Sequence, residues 1–197
     1  MNGLRKDLTT AAIVLAFFTL LLGIAYPLLS TGVAQVLFPG AADGSKIEVD
    51  GKVVGSELIG QDFGGEPGYF QSRPSATGYS ANVTFFNNLG PNSKELSEFF
   101  EEELDAYLFR EGRYDKGLTA AAVPVDAVTT SASGVDPQIS AANARIQAHR
   151  VAAVRGLALE RVLELVEEHT EGRFLVFGEP GVNVLKLNLA LDQEDQQ

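Results

Sequence analysis

Between Asp7 and Asp43 the chain has no charged residue. Within that gap, Leu8 to Leu29 reads LTTAAIVLAFFTLLLGIAYPLL. As a helix rising about 1.5 Å per residue this stretch reaches about 33 Å, which matches a hydrocarbon layer about 30 Å thick. A cleaved signal peptide would have an apolar run of about 7–15 residues and a small-x-small cleavage site. Here the run is longer, and Gly32-Val33-Ala34 is a weak match to such a site. A buried core helix would show a polar stripe. The sequence therefore predicts a retained transmembrane helix over 8–29, an N-terminal segment over 1–7 and a linker over 30–45. Arg5 and Lys6 flank one end, and no further Lys or Arg occurs before Lys46. The positive-inside rule then places the N-terminus in the cytoplasm and the rest of the chain outside.

The remainder has the composition of a folded domain: 45% of the 197 residues are hydrophobic and 21% charged, which excludes wholesale disorder. It reads as a single extracytoplasmic domain over 46–192 with a tail over 193–197. Lys and Arg total 15 against 26 Asp and Glu, net −11. That balance argues against a nucleic-acid binder, which needs a basic face for phosphates. The absence of cysteine excludes disulfides, thiolate metal sites and cysteine nucleophiles.

Local patterns predict an α+β class, with the single membrane helix followed by one mixed α/β domain. Ile47–Val49 and Lys52–Val54 flank Asp50-Gly51, a type I′ hairpin signal. Residues 60–90 read as a packed loop with short strands, too long for an idle connector. Over 93–110, Leu96, Phe99, Phe100, Leu104, Tyr107 and Leu108 recur at helical spacing, with Asn92 and Glu95 as a capping-box-like start. Residues 122–129 read as a strand. Ser140 is the expected N-cap of a helix running to Arg155 and broken at Gly156. A second helix covers 159–169. Alternating Leu185, Leu187, Leu189 and Leu191 predict a half-buried strand over 182–191.

Chemical motifs are scarce. There is no Gly-Lys-Ser/Thr phosphate loop and no G-x-S-x-G elbow. The two histidines, His149 and His169, lack zinc-ligand spacing. Ser131 or Ser133 with His149 and Asp126 could form a hydrolase triad, although nothing local supports it; His149 falls with Ala142, Ile146 and Ala153 and reads as a packed or interfacial residue. Asp115-Lys116-Gly117-Leu118-Thr119 resembles a P-type ATPase phosphorylation motif only superficially, and reads as a turn. Asn82-Val83-Thr84 is a formal glycosylation sequon.

Several strings occur in a specific order: Tyr69-Phe70-Gln71-Ser72-Arg73-Pro74-Ser75-Ala76, Asn88-Leu89-Gly90-Pro91-Asn92, Val123-Pro124-Val125-Asp126, Thr130-Ser131-Ala132-Ser133-Gly134 and Asp136-Pro137-Gln138-Ile139-Ser140. Gln147, Arg150-Val151-Ala152, Arg155-Gly156, Gly178-Glu179-Pro180 and Val182 to Leu191 follow. Behind one N-terminal apolar span, this set resembles the C subunit of the Kdp-type potassium-transporting ATPase over nearly the whole chain. Gln138, Ser72 and Phe85-Phe86-Asn87 depart from the family pattern.

The resemblance implies an inner-membrane complex with a potassium-channel-like subunit, a P-type ATPase subunit and a small membrane peptide. It implies a non-catalytic accessory role in assembly and in promoting ATP use, with ATP and potassium acting at the level of the complex and no cofactor or metal held by this chain. Membrane lipid is a further partner. Candidate assembly residues are the small-residue stripe Ala12, Ala16, Thr19 and Gly23, which permits close helix contact, together with Arg73, Pro74, Ser75, Asn88, Gly90, Gln147 and Arg150. Arg73 reads equally as a loop clamp or as a partner for a carboxylate, and Asn88 to Pro91 as turn geometry. The rival readings are a membrane-anchored extracytoplasmic hydrolase and a stand-alone anchored binding or sensor domain.

Overall fold

A computed structural model describes residues 2–82, 88–172 and 178–194. The chain divides into two compact units, Met1–Lys46 and Ile47–Gln197.

The first unit is helical. Helix α1 (Asn2–Leu20) leads through a π-helical turn, Leu21–Ala25, into α2 (Tyr26–Leu37). The short α3 (Pro39–Ala42) follows. The expected exit at Leu29 is not where the helix ends: residues 30–37 continue it. The resulting span, Gly3–Leu37, is 35 residues long and none of its most apolar stretch is buried. The π-turn has a local cause. Pro27 lacks an N–H, and its ring clashes with a carbonyl four residues earlier. Widening the preceding turn relieves the clash without breaking the helix.

In the second unit, β1 (Lys46–Val49) and β2 (Lys52–Ser56) form the expected hairpin. Asp50 and Gly51 both have positive φ, 51° and 74°, as a type I′ turn requires. Residues 57–82 contain no strand, so the short strands expected there are absent among the described residues. Helix α4 (Lys94–Glu111) starts one residue later than expected, and its cap is Ser93. The Ser93 hydroxyl accepts from the Leu96 N–H at 3.2 Å, taking the role expected of Asn92.

The strand expected over 122–129 is instead two 3₁₀ turns, Ala120–Ala122 and Val125–Ala127. Pro124 cannot donate to a ladder, and the Asp126 side chain is drawn to the next helix. Strand β3 (Gln138–Ser140) leads into α5 (Ala141–Arg155), capped by Ser140 as expected. Gly156 ends α5 in the left-handed region at φ 70°. Helix α6 is Leu159–Glu168, and β4 is Thr170–Glu171.

The expected 182–191 strand is corrected most clearly. Only β5 (Gly181–Asn183) is extended, and α7 (Val184–Glu194) follows it. Asn183 switches the chain: its Oδ1 accepts from the Lys186 N–H at 3.1 Å, as an N-cap does. The helical stripe is Val184, Leu187, Asn188 and Leu191, all buried. The polar Asn188 within it hides the 3.6-residue period behind the alternating leucines.

The three-stranded sheet has the order β3-β5-β4 and is antiparallel, with Ile139 opposite Val182 and Thr170 opposite Val182. Helices α5, α6 and α7 pack into one core around Phe70, Ile139, Ala148, Val151, Val162 and Leu187. Mixed helix and sheet behind one apolar helix agrees with the α+β expectation. Phe85 to Asn87 and two of the three sequon residues, Val83 and Thr84, lie outside the described residues.

Candidate functional site

The strings that carry the resemblance meet in space. Arg73 donates through Nη1 to Asp136 Oδ2 at 3.1 Å, and through Nη2 to Thr129 Oγ1 and Thr130 O, both at 3.2 Å. The Ser75 hydroxyl donates to the Gly134 carbonyl and accepts from the Tyr79 N–H at 2.9 Å. The Tyr79 hydroxyl donates to Arg73 O at 2.6 Å. Burial pushes the Tyr79 phenol up to about 12; Asp62 and Glu103 add to the shift and Arg110 opposes it. The loop around residues 71–79 is thereby riveted to the loop around 129–136. In this structure Arg73 acts as an internal clamp, although its Nε is buried without a hydrogen-bond partner. Gly60 allows the close approach, since a Cβ there would lie 2.5 Å from Asp136 O.

Between this junction and α4 lies a cavity of about 490 Å³ lined by Ala76, Asn88, Leu89, Phe99, Thr130 and Ser131, among others. A more polar recess of about 250 Å³ adjoins it and adds Pro74, Ser75, Glu103 and Arg110. Asn88 sits in the left-handed region at φ 48°. The Gly90 carbonyl accepts from the Ser93 N–H at 2.9 Å, so the Asn88–Pro91 string sets the entry to α4. Burial raises the Glu103 carboxyl above its ordinary range, and the nearby Arg110 partly offsets this.

Gln147 and Arg150 are inside the fold, 1% exposed each, beneath this surface. The Arg150 Nε donates to both Glu111 oxygens at 3.1 and 3.0 Å. Its Nη1 reaches the Pro67 carbonyl and, at 2.9 Å, Tyr69 O, while Nη2 donates to Gln147 Oε1 at 2.9 Å. Burial lowers the Arg150 pKa, and the Glu111 carboxylate pulls it back up.

The Gln147 amide accepts from the Gln71 N–H at 2.8 Å and donates to the Gln71 carbonyl at 3.1 Å. Asn188 on α7 does the same for Phe70, at 2.8 and 3.0 Å. Two side-chain amides thus replace the ladder that a strand at 70–71 would have had. Arg155 fixes Gly68 O at 2.6 Å and lies 4.6 Å over the Tyr69 ring. Periodicity alone misses this assembly. Its sequence signal is the polar series Asn143, Gln147 and Arg150 at helical spacing on α5.

The triad residues do not come together. Asp126 accepts from Ser140 N, Ser140 Oγ and Asn143 Nδ2 at 2.8, 2.7 and 3.0 Å. It holds the start of α5, while His149 is nine residues along, roughly 13 Å of helix rise. Ser131 Oγ accepts from the Gly134 N–H at 2.9 Å. The Asp115 segment is a turn, with the Asp115 carboxylate accepting from the Gly117 N–H at 2.9 Å. The stripe Ala12, Ala16, Thr19 and Gly23 lies exposed in the other unit, with Gly23 inside the π-turn.

The architecture agrees with sequence comparison. A family model described as K+-transporting ATPase, c chain, matches residues 8–193. The chain belongs to the KdpC family. A KdpC-family protein of Polaromonas naphthalenivorans named as the potassium-transporting ATPase KdpC subunit is 54% identical over 192 residues, 95% of each chain. Proteins of the same name from Methylococcus capsulatus and Mycobacterium tuberculosis are 51% and 46% identical. They cover 92% and 96% of this chain, and 95% and 100% of their own lengths. As a KdpC-family chain it is a membrane-associated transport subunit with, among the described residues, one candidate transmembrane helix near its N-terminus.

Proposed function

We propose that this chain is a non-catalytic subunit of an ATP-driven potassium uptake pump. In this reading it assembles and stabilises the complex and promotes ATP use by a P-type ATPase subunit. Its partners are that subunit, a potassium-channel-like subunit and a small membrane peptide, together with membrane lipid. Full-length similarity to proteins named as potassium-transporting ATPase subunits carries the reading.

Two structural observations support it. The Gly3–Leu37 helix exposes its apolar side chains on every side, which demands lipid or partner helices. In the folded unit, Asp126 and Arg150, groups that could do chemistry, are held in structural hydrogen bonds. Arg5 and Lys6 favour a cytoplasmic N-terminus, which puts residues 46–192 on the extracytoplasmic side. The stripe Ala12, Ala16, Thr19 and Gly23 suits close contact with a partner helix. ATP is then promoted indirectly, through the partner subunits.

The test is purification of the tagged chain in mild detergent from its own host. Co-isolation with a phosphorylatable ATPase and loss of potassium-stimulated ATP hydrolysis when this chain is omitted are the expected results. A solitary chain, or one that turns over substrate alone, overturns the proposal. Protease added to intact spheroplasts should cut within residues 46–192 and spare residues 1–7.

A further inference from the structure

The apolar helix has a backbone defect near its middle. Pro27 carries no N–H, so the Gly23 carbonyl loses the donor an α-helix would give it. The Tyr26 N–H reaches back to Leu21 O through the π-turn, so the Leu22 carbonyl loses its α-helical donor too. Two consecutive carbonyls thus lack their α-helical donors. Leu22 is 58% exposed, and a Cβ placed on Gly23 would meet nothing within 4 Å.

The defect is about three residues, roughly 4.5 Å, from the midpoint of the span and therefore within a hydrocarbon layer about 30 Å thick. Water would satisfy such carbonyls; hydrocarbon cannot. Elsewhere in the helix the chain supplies its own side-chain donor, as where the Thr9 hydroxyl donates to Arg5 O at 2.9 Å. No side chain among the described residues donates to Leu22 or Gly23. The nearest polar side chains, Thr19 and Tyr26, are about a turn away on either side.

We propose that the Leu22 and Gly23 carbonyls form a docking point for a hydrogen-bond-donating side chain, a Ser, Thr, Asn or Gln, on a transmembrane helix of another subunit. The complementarity is one of charge: two partial negative charges in hydrocarbon, beside a residue with no side chain to hold the donor away. A second copy packed in parallel does not satisfy it, because it would bring its own Leu22 and Gly23 acceptors to the same depth. The inference rests on the subunit reading above, and adds the place of contact and its chemistry.

The test compares wild type, Gly23→Leu, Pro27→Ala and a distant control, Leu4→Ile, in the detergent-purified complex, with helicity checked by circular dichroism. A photo-crosslinking side chain at Leu22 identifies the neighbour. Gly23→Leu blocks approach and should weaken retention of the chain about tenfold. Pro27→Ala returns an N–H to the helix and should weaken retention about 3- to 30-fold, the range for one interhelical hydrogen bond. Leu4→Ile should match wild type. The probe should join a helix of another subunit within a turn of a Ser, Thr, Asn or Gln. Wild-type retention of either variant, or a probe that captures only lipid or a second copy, overturns the docking point while leaving the subunit reading intact. A wild-type chain that purifies alone overturns both.

Discussion

Arg150 and Glu111 show how much rests on single side chains. Both are 1% exposed, and the pair is embedded in further hydrogen bonds. Removing one partner leaves a buried charge uncompensated, so Arg150→Met should destabilise the folded unit by about 3–5 kcal/mol in denaturant titration. The double variant Arg150→Met, Glu111→Gln should recover part of that loss, and strict additivity would count against the pairing. Tyr79 gives a pH signature. Its phenol is pushed up to about 12 from 10 by burial, so above pH 10 the unfolded chain releases a proton that the folded chain keeps. Stability should therefore fall between pH 10 and 12, by about 1–2 kcal/mol after allowance for partial exposure. Tyr107, also raised by burial, adds to the fall in the same direction. Tyr79→Phe should flatten the pH slope and lose the bond to Arg73 O. Arg73, Gln147 and Arg150 stand out in the sequence as members of ordered strings. The contacts that tie them to the loops span 56 to 83 positions along the chain, and no local pattern encodes a separation of that kind.

Elements with local punctuation were legible. Asp50-Gly51, Ser140 and Gly156 act through their own backbone preferences, and the hairpin and α5 follow from them. The strands expected over 122–129 and 182–191 failed for nonlocal reasons. Asp126 is drawn away to the start of α5, where it accepts from the Ser140 cap and the Asn143 amide, and Asn188 occupies a core position on α7 because Phe70 needs its amide. Asn188→Leu tests the second point directly. It would complete an apolar stripe on α7, yet it should cost about 2–5 kcal/mol in thermal or denaturant unfolding, because the Phe70 N–H and C=O would be buried without partners. Gly60→Ala should cost about 1–3 kcal/mol by forcing the loop away from Asp136 O.

At the scale of the molecule, the core lies wholly within Ile47–Gln197, while the apolar span lies in Met1–Lys46. The two parts want different solvents. A fragment of residues 47–197 should stay monomeric in detergent-free buffer and melt cooperatively by circular dichroism, and the full chain should need detergent or lipid. Aggregation of the fragment would mean that part of its core is supplied by the span or by a partner. From Ile47 onward the chain carries 12 positive against 24 negative charges, which favours solubility of that fragment.

The sequence by itself determined the membrane-length helix, the hairpin, the capped helix α5, the amphipathic helix α6 and the family, because each is written in hydropathy, turn chemistry or ordered strings. Tertiary structure decided that residues 67–71 are held in place by amide and guanidinium groups reaching from α5 and α7. It also decided that α7 is a helix and that Asp126 holds the Ser140 cap of α5. The reason is common to all three: a buried polar group takes whatever partner the folded chain brings to it, and that partner lies many residues away along the sequence.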